Sequence, residues 1–405
     1  MKKIYYYIVS LTFLILLGAC SDESASLFAP DYLTPIDASK LPSGNRPMTM
    51  FEDSESSSKM YDNKDRWFYV AQPMQVILSG KDSVQISLYS PIGLSNVKVY
   101  AKLADRSDRF LIYNFSEIPP FHRSFHQIPI ASGNNNYQLE NGKIITIDKI
   151  ADLSNQKIEF SVESTDPLFK KFKKIKSKRI AQFNDKYHKS EYGKYLPMNP
   201  VLAKEAITMI INFSYAISHP LYYETFMNFD RYKMEQAKQA SSEITGALNW
   251  HGNGVDVAGV YDYLSQEEIQ QAYNKYIDSR VIDMAMVGGE NAWGGGALVS
   301  HWESDYVTGH WLGNMSVWSH EYSHHSGYSH TSNLCYYDDG GGQQEMFANF
   351  YKYLIYINDL PFTDPDLLKG YTKKDYLNQD YQKPIFKINK NNPFLIKYNG
   401  QGRWD

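Results

Sequence analysis

A cluster of histidines constrains this chain more than any other feature of its sequence. Four of the 11 histidines among 405 residues fall between His320 and His330. His320 and His324 belong to the pattern HExxH, and residues four apart on an α-helix face the same way. Both imidazoles can therefore bind one zinc ion, and Glu321 can act as the general base toward water that zinc activates. The pattern predicts a helix with one face open to a metal.

The cluster continues in a way that predicts a third ligand. Gly327 and His330 complete the longer pattern HExxHxxGxxH. Glycine adopts the left-handed conformation that ends a helix and reverses the chain. His330 can then approach the metal from a second side, which leaves the fourth position open to water.

On these residues the chain resembles the metzincin clan of zinc peptidases. The resemblance implies a methionine-containing turn beneath the metal, and residues 332–336 match that turn with Leu334 in the methionine position. It also implies that Tyr336 assists the zinc ion or the oxyanion. Metzincins bind substrate as an extra strand beside the edge strand above the active helix. Residues 294–300 stand at the matching point of this sequence.

A second resemblance offers a different third ligand. Glu345 lies 21 positions after His324 on a predicted second helix. This arrangement is similar to the glutamate helix of the gluzincin clan, which includes the enhancin-like, mucin-directed peptidases. We favour His330, because its use requires Gly327 and both residues are present. Glu345 would then hydrogen-bond a ligating histidine. His325 is predicted to point away from the metal face, toward solvent.

The competing functional class is a catalytically inactive surface lipoprotein that binds glycoprotein or glycan. An inactive protein has no need to keep Glu321, so the intact residue favours an enzyme. The sequence thus predicts a zinc metalloendopeptidase that acts on extracellular protein or glycoprotein.

The N-terminus predicts export and lipid anchoring. Lys2 and Lys3 precede an apolar run, and small residues lead to Cys20, which is the order of a secretory signal. The residues before Cys20 resemble the lipobox of bacterial lipoproteins, which implies a signal peptide over residues 1–19 and lipid on Cys20. We therefore expect anchoring in the outer membrane with exposure at the cell surface. Cys335, beside the histidine cluster, then has no disulfide partner.

Composition excludes one class of partner. Hydrophobic content of 43% and charged content of 21% are those of a globular chain. The formal net charge of −4 gives no basic field for nucleic acid. The expected partners are a protein or glycoprotein substrate and the membrane, and the sequence does not indicate an oligomeric state.

The predicted fold class is α+β, with an N-terminal β-sandwich-like domain before a zincin-type α+β catalytic domain. Residues 20–60 are polar and rich in proline, which predicts a flexible tether. Residues 61–168 form the β-rich domain and residues 169–405 the zinc metallopeptidase domain. The basic stretch 170–179 marks the boundary; it suits an anionic polymer, but a solvated linker or helix face is favoured.

Local patterns support this division. Six runs with apolar alternation predict strands: MQVILSG, SVQISLYS, NVKVYAKL, RFLIYNF, KIITIDKI and KIEFSVES. Asn199 and Pro200 predict one helix start, and Ser265 with Glu268 predicts a capping box at another. Strands are expected at 281–287 and 296–300. His122 and His126, near two prolines, are predicted to lie in a loop.

Overall fold

The computed structural model describes most of the chain between residues 30 and 398. The described residues are 30–36, 49–61, 66–133, 135–187, 195–228, 265–287, 292–296, 298–302, 315–328, 334–335, 343–364, 367–368 and 390–398. Structural statements below concern these residues.

The described strands are numbered in chain order. They are β1 (Phe68–Tyr69), β2 (Met74–Ser79), β3 (Ser83–Leu88), β4 (Leu94–Leu103), β5 (Phe110–Ile118), β6 (His122–Gln127), β7 (Asn135–Gln138), β8 (Ile144–Ile147), β9 (Ile158–Ser164), β10 (Ile180–Gln182), β11 (Tyr195–Leu196), β12 (Val281–Val287), β13 (Trp293–Gly295) and β14 (Leu298–Trp302).

The described α-helices are numbered in the same way. They are α1 (Pro129–Ser132), α2 (Pro167–Phe172), α3 (Pro200–Ser218), α4 (Pro220–Met227), α5 (Gln266–Tyr276), α6 (Ser316–His325), α7 (Gln343–Tyr356) and α8 (Pro393–Tyr398). Short 3-10 helices occupy Asp31–Leu33, Ser57–Met60, Leu153–Asn155 and Asp185–Tyr187.

A mixed six-stranded sheet contains β1 and all the strands from β10 to β14. Its strand order is β1-β10-β12-β14-β13, and β11 also pairs with β12. β10, β12 and β14 run parallel, whereas β1, β11 and β13 pair antiparallel with their neighbours. β13 therefore ends one side of this sheet, as a short antiparallel strand beside β14.

The N-terminal half contains antiparallel strands. One three-stranded sheet has the order β2-β3-β6 and another the order β5-β4-β9, while β7 pairs with β8. All six runs that the alternation predicted are strands, namely β2, β3, β4, β5, β8 and β9. β6 and β7 were not predicted, and the loop expected at His122 and His126 is wrong, because both residues lie on β6 and pair with β3.

The α+β class is confirmed by this mixture of sheets and helices. The domain boundaries stay predictions, and one finding bears on them. β1 lies within the range assigned to the β-rich domain, yet it pairs with β10 in the C-terminal sheet. A single cluster of buried hydrophobic side chains also extends through both halves of the chain.

The flexible tether is wrong for the described part of residues 20–60. Phe51 and Met60 are fully buried in the shared core. The backbone N–H of Ile36 donates to Asn114 O at 2.9 Å, and that of Met50 donates to Phe121 O at 2.8 Å. A few aromatic and apolar residues in a polar segment thus suffice to fix it to the β strands. Residues 1–29, with the predicted signal peptide and Cys20, lie outside the described residues.

The predicted helix starts are confirmed. The Asn199 side chain accepts from the backbone N–H of Leu202 at the start of α3, and Ser265 and Glu268 form a capping box on α5. Among the described helices, α3 alone is long and apolar enough to cross a membrane, and all its residues are buried within the protein. α3 is therefore a core helix against which the site-bearing elements pack.

Candidate metal centre

Helix α6 carries the HExxH residues and is fixed by its aromatic face. Trp318 and Tyr322 are fully buried, and their rings lie 5.7 Å and 4.5 Å from the Phe213 ring of α3, measured between centroids. His320 and His324 occupy another face of α6 and are half-buried. Burial of one face thus directs the two imidazoles to the other.

Strand β13 lies directly against the backbone of α6. A Cβ atom added to Gly294 would stand 2.2 Å from the carbonyl oxygen of Glu321. Such a distance excludes any side chain, so glycine permits the close approach of strand and helix. The short antiparallel strand β13 therefore borders the HExxH residues.

Each imidazole of the pair is oriented by a backbone carbonyl. His320 Nδ1 lies 2.9 Å from Cys335 O, and His324 Nδ1 lies 2.8 Å from Tyr328 O. A carbonyl oxygen only accepts, so each Nδ1 carries the proton and donates it. In the neutral rings both Nε2 atoms are then unprotonated, which is the form that binds metal.

The two unprotonated nitrogens face each other. His324 Nε2 lies 3.1 Å from His320 Nε2. Two lone pairs at this distance repel unless a cation stands between them. Two nitrogens bound to one tetrahedral zinc ion are about 3.3 Å apart, given bonds of about 2.0–2.1 Å. Burial lowers the pKa of His324, against the opposing effect of the Tyr328 carbonyl, and so favours the neutral imidazole. The pair fits a metal.

Glu321 lies beside the pair in a dry environment. Its residue is 5% exposed, and burial raises the pKa of its carboxyl group to about 8. Among the described residues, no group forms a hydrogen bond with this carboxyl group. A carboxylate with a pKa near neutrality can both take and return a proton at physiological pH.

Helix α6 ends just before Gly327, as the sequence predicted. Gly327 has φ +96°, and its N–H donates to His324 O at 2.9 Å. The Tyr328 N–H donates to Ser323 O at 3.1 Å, which is the usual closure of a helix by a left-handed residue. The reversal brings the Tyr328 carbonyl back to His324.

Cys335, which the sequence placed beside the histidine cluster, is a neighbour of the pair. It is buried, and its Sγ with one nitrogen of each imidazole forms a group of potential ligand atoms within 4.8 Å of one another. The sulfur lies 3.4 Å from Nδ1 and 3.5 Å from Nε2 of His324. Near-equal distances put the sulfur over the ring and not along the Nε2 lone pair. In this geometry Cys335 packs against the imidazoles as an apolar floor.

Glu345, the alternative ligand, stands apart from the pair. It is exposed, and its Oε1 accepts from Asn349 Nδ2 at 2.8 Å along its own helix. It is not a member of the group formed by His320, His324 and Cys335. Helix α7, which carries Glu345, nevertheless packs on α6. Gln343 Oε1 accepts a hydrogen bond from Ser319 Oγ at 2.9 Å between the two helices. His330 and Tyr336 lie outside the described residues, so their roles stay predictions.

His325 is wrongly predicted as a surface residue. It is 1% exposed, and its Nε2 contacts Nη1 of Arg179, which is itself fully buried. Arg179 also lies over the Tyr322 ring, with Cζ 4.7 Å from the centroid. Burial, reinforced by the charges of Arg179 and Arg280, lowers the pKa of His325 to about 3.

Arg179 likewise departs from the solvated face predicted for residues 170–179. Besides α6, it reaches the loop after α5, where its Nη2 lies 3.3 Å from Asp278 Oδ1. Its Nε donates to Tyr276 O at 3.4 Å. The arginine therefore joins the end of the HExxH helix to the end of α5, a long-range contact that local pattern does not reveal.

The chain matches no protein-family model, no curated protein and no solved structure.

Proposed function

We propose that this protein is a zinc-dependent endopeptidase. The observation that carries the proposal is the convergence of His320 Nε2 and His324 Nε2 at 3.1 Å, with each Nδ1 bonded to a carbonyl. This hydrogen-bonding of the outer nitrogen is typical of histidines that bind metal. Glu321, buried and next in sequence to His320, adds the base that hydrolysis requires.

The proposed third ligand is His330. His330 is the second of six residues between Tyr328 and Cys335, and both of these residues lie at the pair. Tyr328 O accepts from His324, and Cys335 O accepts from His320. The short length of chain between these two anchors supports His330 as the third ligand. Glu345 is the second candidate, favoured by the packing of α7 on α6 through Gln343.

The division of chemical roles follows from these positions. Zinc held by the histidines would polarise a scissile carbonyl and acidify a water molecule. Glu321 would accept a proton from the attacking water and return it to the leaving amine. Burial raises the pKa of its carboxyl group to about 8, and a bound cation would lower that pKa, which favours the ionised form that a general base requires. Tyr336 is proposed to assist the developing oxyanion.

The substrate is proposed to bind along β13. This strand pairs with β14 on one side and borders Glu321 through Gly294. A peptide that adds to its other side would lie across the HExxH helix, with its backbone held by strand hydrogen bonds. The mixed sheet ending in a short antiparallel strand above α6 supports a zincin-type catalytic domain. We assign the strands from β2 to β9 to the β-sandwich-like domain.

The proposed setting is the cell surface. Lipid on Cys20 would anchor the protein in the outer membrane, and substrates would be extracellular proteins or glycoproteins. In this oxidising setting the fold would be stable without a disulfide, since Cys20 would carry lipid and Cys335 is buried beside the histidines.

A matched pair of substitutions tests the enzyme. Glu321→Gln and Glu345→Gln make the same chemical change in the protein without residues 1–20. We expect Glu321→Gln to keep zinc and to cleave casein or a quenched peptide library at least about a hundredfold more slowly, in the range of a lost general base. Glu345→Gln should keep both zinc and activity. Unchanged activity in Glu321→Gln would overturn the mechanism.

The same pair separates the alternatives. Loss of zinc in Glu345→Gln would assign the third ligand to Glu345, as in the gluzincin, enhancin-like type. A wild-type protein that binds zinc, cleaves no peptide and retains glycoprotein would support the inactive binding lipoprotein.

A further inference from the structure

A second candidate site lies outside the metal centre, where sheet β5-β4-β9 meets α2. It is an open cavity of about 770 Å³, a size at which proteins hold small ligands or short polymer segments. Lys98 and Glu163 are opposite residues of β4 and β9 at one wall, and Lys170 of α2 is at the other. The metal-centre residues take no part in its lining.

The cavity is strongly basic within an acidic chain. Its lining contains five cationic side chains against the single carboxylate of Glu163, whereas the whole chain has a net charge of −4. The cations are Lys98, Arg109, Lys170, Lys173 and Lys174. Arg109 is paired with Glu163 and with Glu140, so the excess charge comes from the lysines. Such a local excess in a concave surface attracts and concentrates anions.

Two exposed lysines of this cavity, Lys98 and Lys170, are not balanced by the protein residues that the structure describes. Lys170, Lys173 and Lys174 are three and four positions apart, so they share one side of the chain at the end of α2, where like charges repel. Lys98 and Lys170 are exposed and have no carboxylate partner among the described residues. Glu163 is already engaged, since its Oε1 accepts from Arg109 Nη2 at 2.7 Å. Unbalanced lysines around a cavity indicate an external anion.

Apolar surface accompanies the charges. Phe169 and Val162 contribute to the lining, and the Lys173 ammonium lies 5.3 Å from the centroid of the Phe169 ring. A sugar ring has apolar faces and can carry anionic groups at its rim, which matches this combination. A flat bilayer cannot enter a concave site.

We propose that this basic cavity binds an acidic glycan, such as a sulfated or uronate-containing polysaccharide. The charged stretch 170–179, for which the sequence favoured a solvated linker or helix face over a site for an anionic polymer, would thereby gain a binding role through its first lysines. The site is independent of the zinc chemistry, and it would hold glycan-bearing substrates or matrix near the protein.

Heparin-derived octasaccharide is the probe for this test. Its affinity for the wild-type protein without residues 1–20 is measured by calorimetry, together with Lys170→Ala/Lys173→Ala and the control Lys143→Ala/Lys157→Ala. Both pairs remove two exposed lysines, but Lys143 and Lys157 do not line the cavity. We expect the first pair to weaken binding on the order of tenfold and the control pair less than about twofold. Zinc content and thermal stability should be unchanged in both.

Three results would overturn the proposal. They are no octasaccharide binding by the wild type, an equal loss in the two double variants, and tighter binding of single-stranded DNA or of phosphatidylglycerol vesicles than of the octasaccharide. Since zinc content is followed separately, a failure here leaves the proposed peptidase untouched.

Discussion

His320 and His324 present their unprotonated Nε2 atoms to each other at 3.1 Å, while their Nδ1 atoms donate to Cys335 O and Tyr328 O. The two carbonyls come from chain segments that follow α6, so the turn at Gly327 is what makes the arrangement possible. The two Nε2 lone pairs face each other in rings that the carbonyls hold through Nδ1, which makes a preorganised cation site. The predictions below test this site and the packing that maintains it.

Cys335→Ser tests whether the sulfur binds the metal or only packs against the imidazole rings. Because Sγ lies over the His324 ring and not along its Nε2 lone pair, we expect the variant to retain one zinc ion per chain. Zinc affinity should change by less than about tenfold, as for a residue outside the coordination sphere. Competition with a chromogenic chelator measures this affinity, and complete loss of zinc would make Cys335 a ligand.

Gly294→Ala tests the close approach of β13 to α6. The new methyl group would stand 2.2 Å from Glu321 O, so strand and helix must separate. We expect a loss of about 1–3 kcal/mol in the free energy of unfolding, together with reduced cleavage of peptides. Gly133→Ala is the control, since Gly133 has φ −177° and no atom within 4 Å of an added Cβ. Equal effects of the two substitutions in urea denaturation would refute the close approach.

Arg179→Met tests whether Arg179 stabilises the contact between α5 and α6. The substitution removes a fully buried charge and leaves His325 and the Tyr276 carbonyl without this donor. Breaking a buried charged network typically destabilises by about 3–5 kcal/mol. Lys178→Met, at the exposed neighbouring position, should be within about 0.5 kcal/mol of wild type. Similar unfolding midpoints for the two variants would show that Arg179 does not stabilise the contact between α5 and α6.

The buried His122 is expected to contribute to the fall in the free energy of unfolding at acidic pH. Burial, with a smaller contribution from His126, lowers the pKa of His122 from 6.5 to about 4. Between these values the unfolded chain binds a proton that the folded chain does not, so the free energy of unfolding falls as pH decreases from about 6.5 to 4. His122→Asn should flatten this slope, even if its stability at pH 7.5 is lower. An unchanged slope in denaturation curves from pH 7.5 to 4 would exclude His122 as a source.

Local pattern predicted much of this molecule because the relevant signals are short-range. Alternation gave six strands, Asn199 and Ser265 gave two helix starts, and Gly327 gave the end of α6. HExxH spacing alone implies that His320 and His324 share a helix face, which the structure shows.

The failures have a common physical origin in long-range packing. Phe51 lies in a polar segment, but contacts with Tyr89, just after β3, and Phe121, just before β6, help to bury it. His325 follows the metal face by one position, and only the distant Arg179 determines that it is buried. β13 contains two glycines, which weaken any strand pattern, although Gly294 is what allows the strand to touch α6.

Zinc content tests the central claim most directly. Wild-type protein without residues 1–20 is loaded with zinc, dialysed and measured by mass spectrometry, beside His324→Ala and the control His126→Ala on β6. We predict one zinc ion per chain in the wild type and in His126→Ala, and almost none in His324→Ala. Equal zinc in all three, or none in the wild type, would contradict a metal centre at His320 and His324.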